Sequence, residues 1–373
     1  LPNLTCPGLA GSHPPPPPPP PAGRGAPPPP PPHYGGDWVR VLPVVLALLV
    51  FGALPASAAP VPAPETVCRI TDSRLDELSG LASDGERWYA INDGGTQVQV
   101  FVLDRSCRVQ QVRTDPADPY DVEDLARAAD GTLWLSDTGD NRHQRSTVAL
   151  LELKPSGGPA VLHRLTYPDG AHDGEALLLD RSGVPYLVTK DVLGDAKVYR
   201  PAGPLTTPGP TSLEQVGTLR VHSTDTPGGP IGAFGSVLVT GGATSADGTV
   251  VALRTYTDAY LYPAPDGDVA AALRRDPVRI PLPDEKQGEA IAFDPDGTLL
   301  SASEGTGQPV RALRNAAALV SPQSPGSPSA GAESGADSGA AQDNGGVPIL
   351  PAAGIAVAVV LAGWFLLSRL RRR

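Results

Sequence analysis

Residues 123–137 read Glu123-Asp-Leu-Ala-Arg-Ala-Ala-Asp130-Gly131-Thr-Leu-Trp134-Leu-Ser-Asp137. Two short runs with apolar residues flank a polar Asp-Gly, the residue pair that accepts the backbone angles of a tight reversal. The segment therefore reads as strand, turn and strand, closed by a carboxylate. The unit recurs at Glu77–Asp93, Glu175–Lys190, Thr240–Arg254 and Glu289–Glu304. In every copy the turn residue (Asp84, Asp130, Ser182, Asp247, Asp296) follows the lead residue by seven positions and precedes a Gly.

The lead residues are 46, 52, 65 and 49 positions apart, room for four short strands each. Further strand-like pieces lie between the copies, such as Val98–Leu103, Val148–Leu153 and Ala259–Tyr262, punctuated by Pro and Gly clusters. Only Val269–Arg275 offers a turn or two of helix. Periods of this length point to an all-β fold, a β-propeller of four-stranded blades. Each small sheet cannot cover both its faces alone, so neighbours must pack in a closed ring. Five blades are expected, or six if the 65-residue interval hides a degenerate one. The segment around Cys68–Ile70 is expected to supply a strand that closes the ring.

Glu-x-Leu-Ala followed by Asp-Gly-Thr-Leu-Trp resembles the exported bacterial propellers of the NHL, SMP-30/gluconolactonase and esterase-like phytase groups. It is most similar to uncharacterised, membrane-anchored actinobacterial propellers. The likeness covers about residues 69–310. In the lactonases of this group a channel metal is held by a Glu opening an inner strand, within Glu-Gly-Pro. Glu77, Glu123, Glu175 and Glu289 match in residue type, and no Gly-Pro follows any of them.

The chain has 373 residues and a formal charge of −11, and an acidic balance argues against nucleic acid as a partner. Its ends are of different composition from its middle. Residues 1–36 carry two proline runs, Pro14–Pro21 and Pro27–Pro32, which favour extended polyproline II and cannot bury a core. They read as a disordered or non-translated extension, with the true start expected near Val39. Residues 37–58 carry a basic residue, an apolar run and an Ala-x-Ala site, the order of a secretory signal peptide. Residues 66–315 are the expected propeller ectodomain and 316–346 an Ala/Gly/Ser/Pro linker. Residues 347–368 include Ile349–Leu367, free of charge and long enough to span a bilayer. The basic tail, 369–373, is expected in the cytoplasm. Leu350-Pro-Ala-Ala-Gly354 also resembles a sortase sorting signal, with Ala353 where Thr is usual. After cleavage only Cys68 and Cys107 remain, and two cysteines in an exported chain read as one disulfide.

Alternating strand direction in a blade brings the lead residues to one equivalent place around the ring. Glu77, Glu123, Glu175 and Glu289, with the second-strand ends Asp93, Asp137, Lys190, Arg254 and Glu304, are the candidate ligand-binding residues. Asp121 and Asp173 stand two residues before a lead Glu. Converging carboxylates repel unless a base, a proton or a hard cation neutralises them. Ca²⁺ or another divalent cation on Glu77, Glu123, Glu175, Glu289 and Asp137 would do so. The same glutamates could instead accept backbone hydrogen bonds from the neighbouring blade. His172, beside Asp173, is the one histidine near a lead residue and a candidate general base. No zincin, nucleophile-elbow, paired-cysteine or phosphate-loop motif is present.

The expected function is a membrane-anchored surface propeller binding an extracellular protein or small ligand at its channel mouth. The alternative is a metal-dependent hydrolase or lactonase, and a scaffolding ectodomain is third. The exported chain is expected to begin at Ala59, which N-terminal sequencing checks; a mature protein still carrying residues 1–36 refutes both the leader and the start.

Overall fold

Alternation on a strand sends consecutive side chains to opposite faces. Stretches such as Ala176-Leu-Leu-Leu179 and Val250-Val-Ala-Leu253 are apolar on both, so each strand needs a neighbour on either side. The computed structural model describes residues 61–320. The proline-rich extension, signal peptide, membrane helix, basic tail and residues 321–346 of the linker lie outside the described residues. No helix among the described residues is long and apolar enough to cross a membrane.

The chain opens with β1 (Glu65–Arg69), whose partner comes only at the end. The first antiparallel meander is β2 (Leu78–Ser83), β3 (Trp88–Asn92), β4 (Val98–Leu103) and β5 (Val109–Asp115). The second is β6 (Val122–Arg127), β7 (Leu133–Asp137), β8 (Val148–Leu153) and β9 (Val161–Thr166). The third is β10 (Gly174–Leu179), β11 (Pro185–Thr189), β12 (Asp195–Pro201) and β13 (Thr211–Arg220). A two-residue parallel bridge, Thr211 to Leu165 and Ser212 to Thr166, joins the outer edges of the second and third. The fourth is β14 (Val239–Thr244), β15 (Val250–Thr255), β16 (Asp258–Pro263) and β17 (Val278–Pro281). The last is β18 (Gly288–Phe293), β19 (Leu299–Ser303) and β20 (Pro309–Leu313), completed by β1 at its outer edge.

Burial falls from the first strand of each meander to the last. All six residues of β10 and of β18 are buried, whereas β5 has one buried residue of seven. The first strands thus line the centre and the fourth strands face water. Five apolar clusters among the described residues fill the spaces between sheets. Ile91 meets Leu125 between the first and second sheets. Leu150 meets Leu177 between the second and third, and Leu178 meets Leu253 between the third and fourth. Ala252 joins Ile291 between the fourth and fifth. Ala290 joins Leu78 and Trp88 between the fifth and the first, which closes the circle. Neighbouring residues of one strand, such as Leu177 and Leu178, belong to different clusters. The arrangement is all-β and fits a β-propeller.

Two features fasten the closure. β1 pairs antiparallel with β20, so the two ends of the ring share one sheet. Cys68 on β1 is disulfide-bonded to Cys107 in the β4–β5 turn, across a separation of 39 residues. The expected helical piece is a single turn, α1 (Val269–Ala272), capped by the Asp268 carboxylate accepting from Ala271 N at 2.9 Å. The first residues read as linker, Ala316–Leu319, form a 3-10 turn with Ala316 buried.

At the centre, Asp124 on β6 is fully buried. Its carboxylate accepts from Leu125 N (2.8 Å), from Leu177 N on β10 (2.8 Å) and from Gly242 N on β14 (3.0 Å). One side chain therefore ties three sheets together. Burial pushes its pKa well up, against the three N–H donors that favour the charged form. Removing it would orphan N–H groups with no access to water, at about 1–3 kcal/mol each. Asp124→Ala should lower unfolding stability by roughly 3 kcal/mol or more, read as a shift of the urea midpoint; an unchanged midpoint would show that the central carboxylate holds nothing together.

Candidate metal centre

Each innermost strand slips register once, and at the same place. The pairing skips between Leu78 and Gly80, Val122 and Asp124, Gly174 and Ala176, Val239 and Gly241, and Gly288 and Ala290. The skipped residues are Ser79, Glu123, Glu175, Thr240 and Glu289. A bulge residue leaves the ladder, and the strand bends and twists more strongly there. Aligned on this bulge, the residues just before the strands are Glu77, Asp121, Asp173, Leu238 and Gln287. Those just after the second strands are Asp93, Thr138, Lys190, Tyr256 and Glu304. Backbone bonds confirm the correspondence: Asp93 N donates to Glu77 O, Lys190 N to Asp173 O and Glu304 N to Gln287 O, each at 2.9 Å.

Of the four lead glutamates, Glu123 and Glu175 come together in one carboxylate group, and Glu77 and Glu289 belong to neither of the two groups found among the described residues. Carboxylate oxygens of Asp93, Asp121 and Glu123 lie within 4.8 Å of one another, and so do those of Glu123, Asp173 and Glu175. Glu123 belongs to both groups. It is 5% exposed and Glu175 only 1%. Burial holds Glu123 well above the ordinary carboxylate range, reinforced by Glu175, Asp93 and Asp121. Burial does the same to Glu175, with the Lys190 ammonium opposing it. Lys190 pairs with Glu175 and lies 3.6 Å from Asp173. Burial works against its charge, but Glu175, Tyr256, Asp173 and Glu123 outweigh it and hold its pKa well above the usual lysine value. Opposite, Glu289 is raised by burial and by Glu304. Burial lifts Glu304 itself to about 7, the Glu289 hydrogen bond working against that.

Gly139 makes the crowding sterically feasible. Its Cα faces the carboxylates of Glu123 and Asp121, where a Cβ would overlap both. The surrounding turn is built by hydrogen bonds. Asp140 accepts from Gln144 N (3.0 Å) and Arg145 N (2.7 Å), and its own N–H donates to Asp173 at 2.6 Å.

The remaining candidates sit elsewhere. Glu77 lies two residues before the bulge residue Ser79, because the first hairpin is shorter: Asp84 follows Ser79 by five residues, where Asp130 follows Glu123 by seven. It still faces Glu304. Asp137 remains inside the ladder, paired with Val122. Its carboxylate accepts from Asp121 N at 2.8 Å and pairs with Arg145 at 3.0 Å, so it positions the loop carrying Asp121. Arg254 is fully buried. It pairs with Glu285 at 2.7 Å and donates to the carbonyls of Ala290 and Ala302, which joins the fourth and fifth sheets. His172 hydrogen-bonds Asp169 at 3.0 Å and packs against Tyr167 and Tyr199. Sequence reading passed over Tyr256, which sits at the exit position of the fourth sheet. Counting from the bulge to the strand end, instead of taking the last charged residue, would have found it.

A cavity of about 240 Å³ lies beside Asp93 and is lined also by Glu77, Asn92, Thr96 and Pro119. A wider one of about 670 Å³, lined by Leu125, Trp134, Leu179 and Phe293 among others, lies toward the opposite ends of the inner strands.

No family model matches the chain, and no curated protein matches it in sequence. Among solved structures it is similar to a gluconolactonase from Xanthomonas campestris at 12% identity, over 69% of this chain and 99% of that one, with a TM-score of 0.36. A streptogramin B lyase matches at 11% identity, over 66% and 97%, with a TM-score of 0.38. The PQQ-bound aldose sugar dehydrogenase of Streptomyces coelicolor matches at 10%, over 69% and 99%, with a TM-score of 0.38.

The raised carboxyls imply a pH dependence. Glu304 moves from 4.5 to about 7 in the fold, so its neutral form is favoured there. Its contribution to stability is complete below pH 4.5 and lost as pH climbs through about 7. Melting curves in chelator should therefore fall across that interval, and millimolar Ca²⁺ should restore stability on the alkaline side. A flat profile would mean that the acids do not face one another.

Proposed function

We propose that the channel mouth binds one divalent cation on Asp93, Asp121 and Glu123 and hydrolyses an ester or lactone presented to it. The observation that carries this reading is the pair of three-carboxylate groups that share the buried Glu123. An all-oxygen, anionic donor set suits a hard cation such as Ca²⁺, Mg²⁺ or Mn²⁺. The two groups differ in one respect. Lys190 already stands among Asp173 and Glu175 as a tethered positive charge. Around Glu123 the Asp93 and Asp121 charges add to that of Glu175 in holding its carboxyl up, and a cation there would relieve that repulsion. The Gly139 gap keeps the Glu123 and Asp121 oxygens aimed together. The repeat motif's resemblance to the lactonase propellers is consistent with this reading.

When bound, such a cation polarises a carbonyl and acidifies water. The chain's own groups would do the rest. Lys190 is held charged and is placed to donate a hydrogen bond to an oxygen that gains negative charge. Glu289 and Glu304 share a hydrogen bond, and with Glu304 near 7 the pair can accept a proton and return it to a leaving alcohol at neutral pH. Tyr256, buried and kept neutral by burial first and by the surrounding acids, offers a hydroxyl beside them.

A second reading, a surface module that binds without turnover, is supported by the leader and anchor segments of the sequence. On either reading we propose that the ring lies outside the membrane, with residues 369–373 in the cytoplasm. Calorimetry on the chelated ectodomain should find one Ca²⁺ or Mn²⁺ per chain, with Glu123→Gln weakening it at least ten-fold (about 1.4 kcal/mol). Acid release from lactones and p-nitrophenyl esters should vanish in the same variant. Cation binding without any turnover would favour the binding module, and no cation binding would remove the metal-dependent reading.

A further inference from the structure

Six large apolar side chains are exposed among the described residues, and four of them stand on segments that lead into the first strand or out of the second strand of a meander. They are Tyr120 (65% exposed), Val192 (62%), Leu193 (72%) and Phe234 (47%). Each is tied to the acidic centre by the chain itself. Tyr120 precedes Asp121, and the Arg145 guanidinium that lies 4.7 Å over its ring also donates to Gly139 O. Val192 and Leu193 follow Lys190 in a turn fixed by Asp191, whose carboxylate accepts from Leu193 N at 2.8 Å. Phe234 stands on the 3-10 turn Gly232–Val237, whose Gly235 packs on Tyr256. The Val192–Leu193 turn and the Phe234 turn adjoin one another, since Gly194 lies against Val237.

From this arrangement we infer that the mouth selects a neutral substrate with a hydrocarbon body, an acyl-chain lactone or alkyl ester, rather than a polyhydroxylated sugar lactone. The inference rests on the hydrolytic reading of the same site. Val192, Leu193 and Phe234 carry no side-chain donor or acceptor, so sugar hydroxyls pressed against them would lose water without replacement. An alkyl chain would instead remove exposed apolar surface on both sides. The anionic ring beneath repels a free carboxylate at the chain end, which leaves an uncharged tail as the matching chemistry. The lactone or ester carbonyl then falls toward Asp121, Glu123 and Lys190, and the tail lies along the rim.

The test separates the rim from the chemistry by measuring binding and turnover independently. Affinities of γ-butyrolactone, γ-decalactone and δ-gluconolactone for the Ca²⁺-loaded ectodomain are measured by calorimetry at low temperature, and acid release is followed separately. Wild type should hold γ-decalactone at least ten-fold tighter than γ-butyrolactone, with δ-gluconolactone the weakest. In V192S/L193S/F234S the preference should shrink below three-fold while the Ca²⁺ isotherm and melting temperature stay put. Preferential binding of the long chain without acid release would sink the hydrolytic reading and keep the rim assignment. Equal affinities in wild type, tighter binding of δ-gluconolactone, no lactone binding at all, or an unchanged preference in the triple variant would overturn the inference. So would a rim-dependent partition of the ectodomain into phosphatidylcholine vesicles with no chain-length preference, which would reassign these side chains to membrane contact.

Discussion

Every sheet among the described residues is apolar on both faces, and that single constraint organises the rest. A four-stranded meander with Leu177 pointing one way and Leu178 the other cannot be covered by solvent-facing loops. It needs a like sheet on either side, and the only finite solution is a ring. The ring in turn brings the first strand of each meander to a common axis. Small residues there let the strands approach: a Cβ on Gly80 would press into the Leu125 backbone of the next sheet.

Convergence then creates the electrostatic problem that gives the mouth its character. Five bulges at equivalent positions present Ser79, Glu123, Glu175, Thr240 and Glu289. The flanking positions add Asp121, Asp173, Asp93 and Glu304. So many carboxyls in a poorly hydrated space cannot all ionise, and the molecule relieves the strain in two ways. Lys190 neutralises one side, and Glu289 and Glu304 share a hydrogen bond on another. The carboxylates of Asp93, Asp121 and Glu123 come within 4.8 Å of one another. Just along the same strand from Glu123, Asp124 solves a different problem. It collects backbone donors from three sheets and belongs to the framework.

Two of the charged strand ends turned out to belong to that framework as well. Asp137 and Arg254 are one and two residues short of the exit positions held by Thr138 and Tyr256. Their side chains therefore enter the body of the ring, Asp137 bracing the loop at Asp121 and Arg254 bridging to Glu285 and the carbonyls of the next sheet. Gly288 leaves the space the guanidinium occupies. Such a residue has the type expected of a site and the role of a strut, and nothing in its local sequence separates the two.

The amino-acid sequence alone determined the all-β class, the repeat, the ring-closing strand and the Cys68–Cys107 bridge, because turn residues and twofold alternation are local properties of the chain. It also pointed to Glu77, Glu123, Glu175 and Glu289 as residues that meet, of which Glu123 and Glu175 share one carboxylate group. Only the tertiary structure decided which acids come within 4.8 Å of one another, that Lys190 pairs with Glu175, and that Tyr256 takes the exit position of its sheet. The physical reason is the bulge. One unpaired residue per inner strand shifts every later side chain by a step, and hairpins of unequal length hide that shift from any fixed count along the sequence.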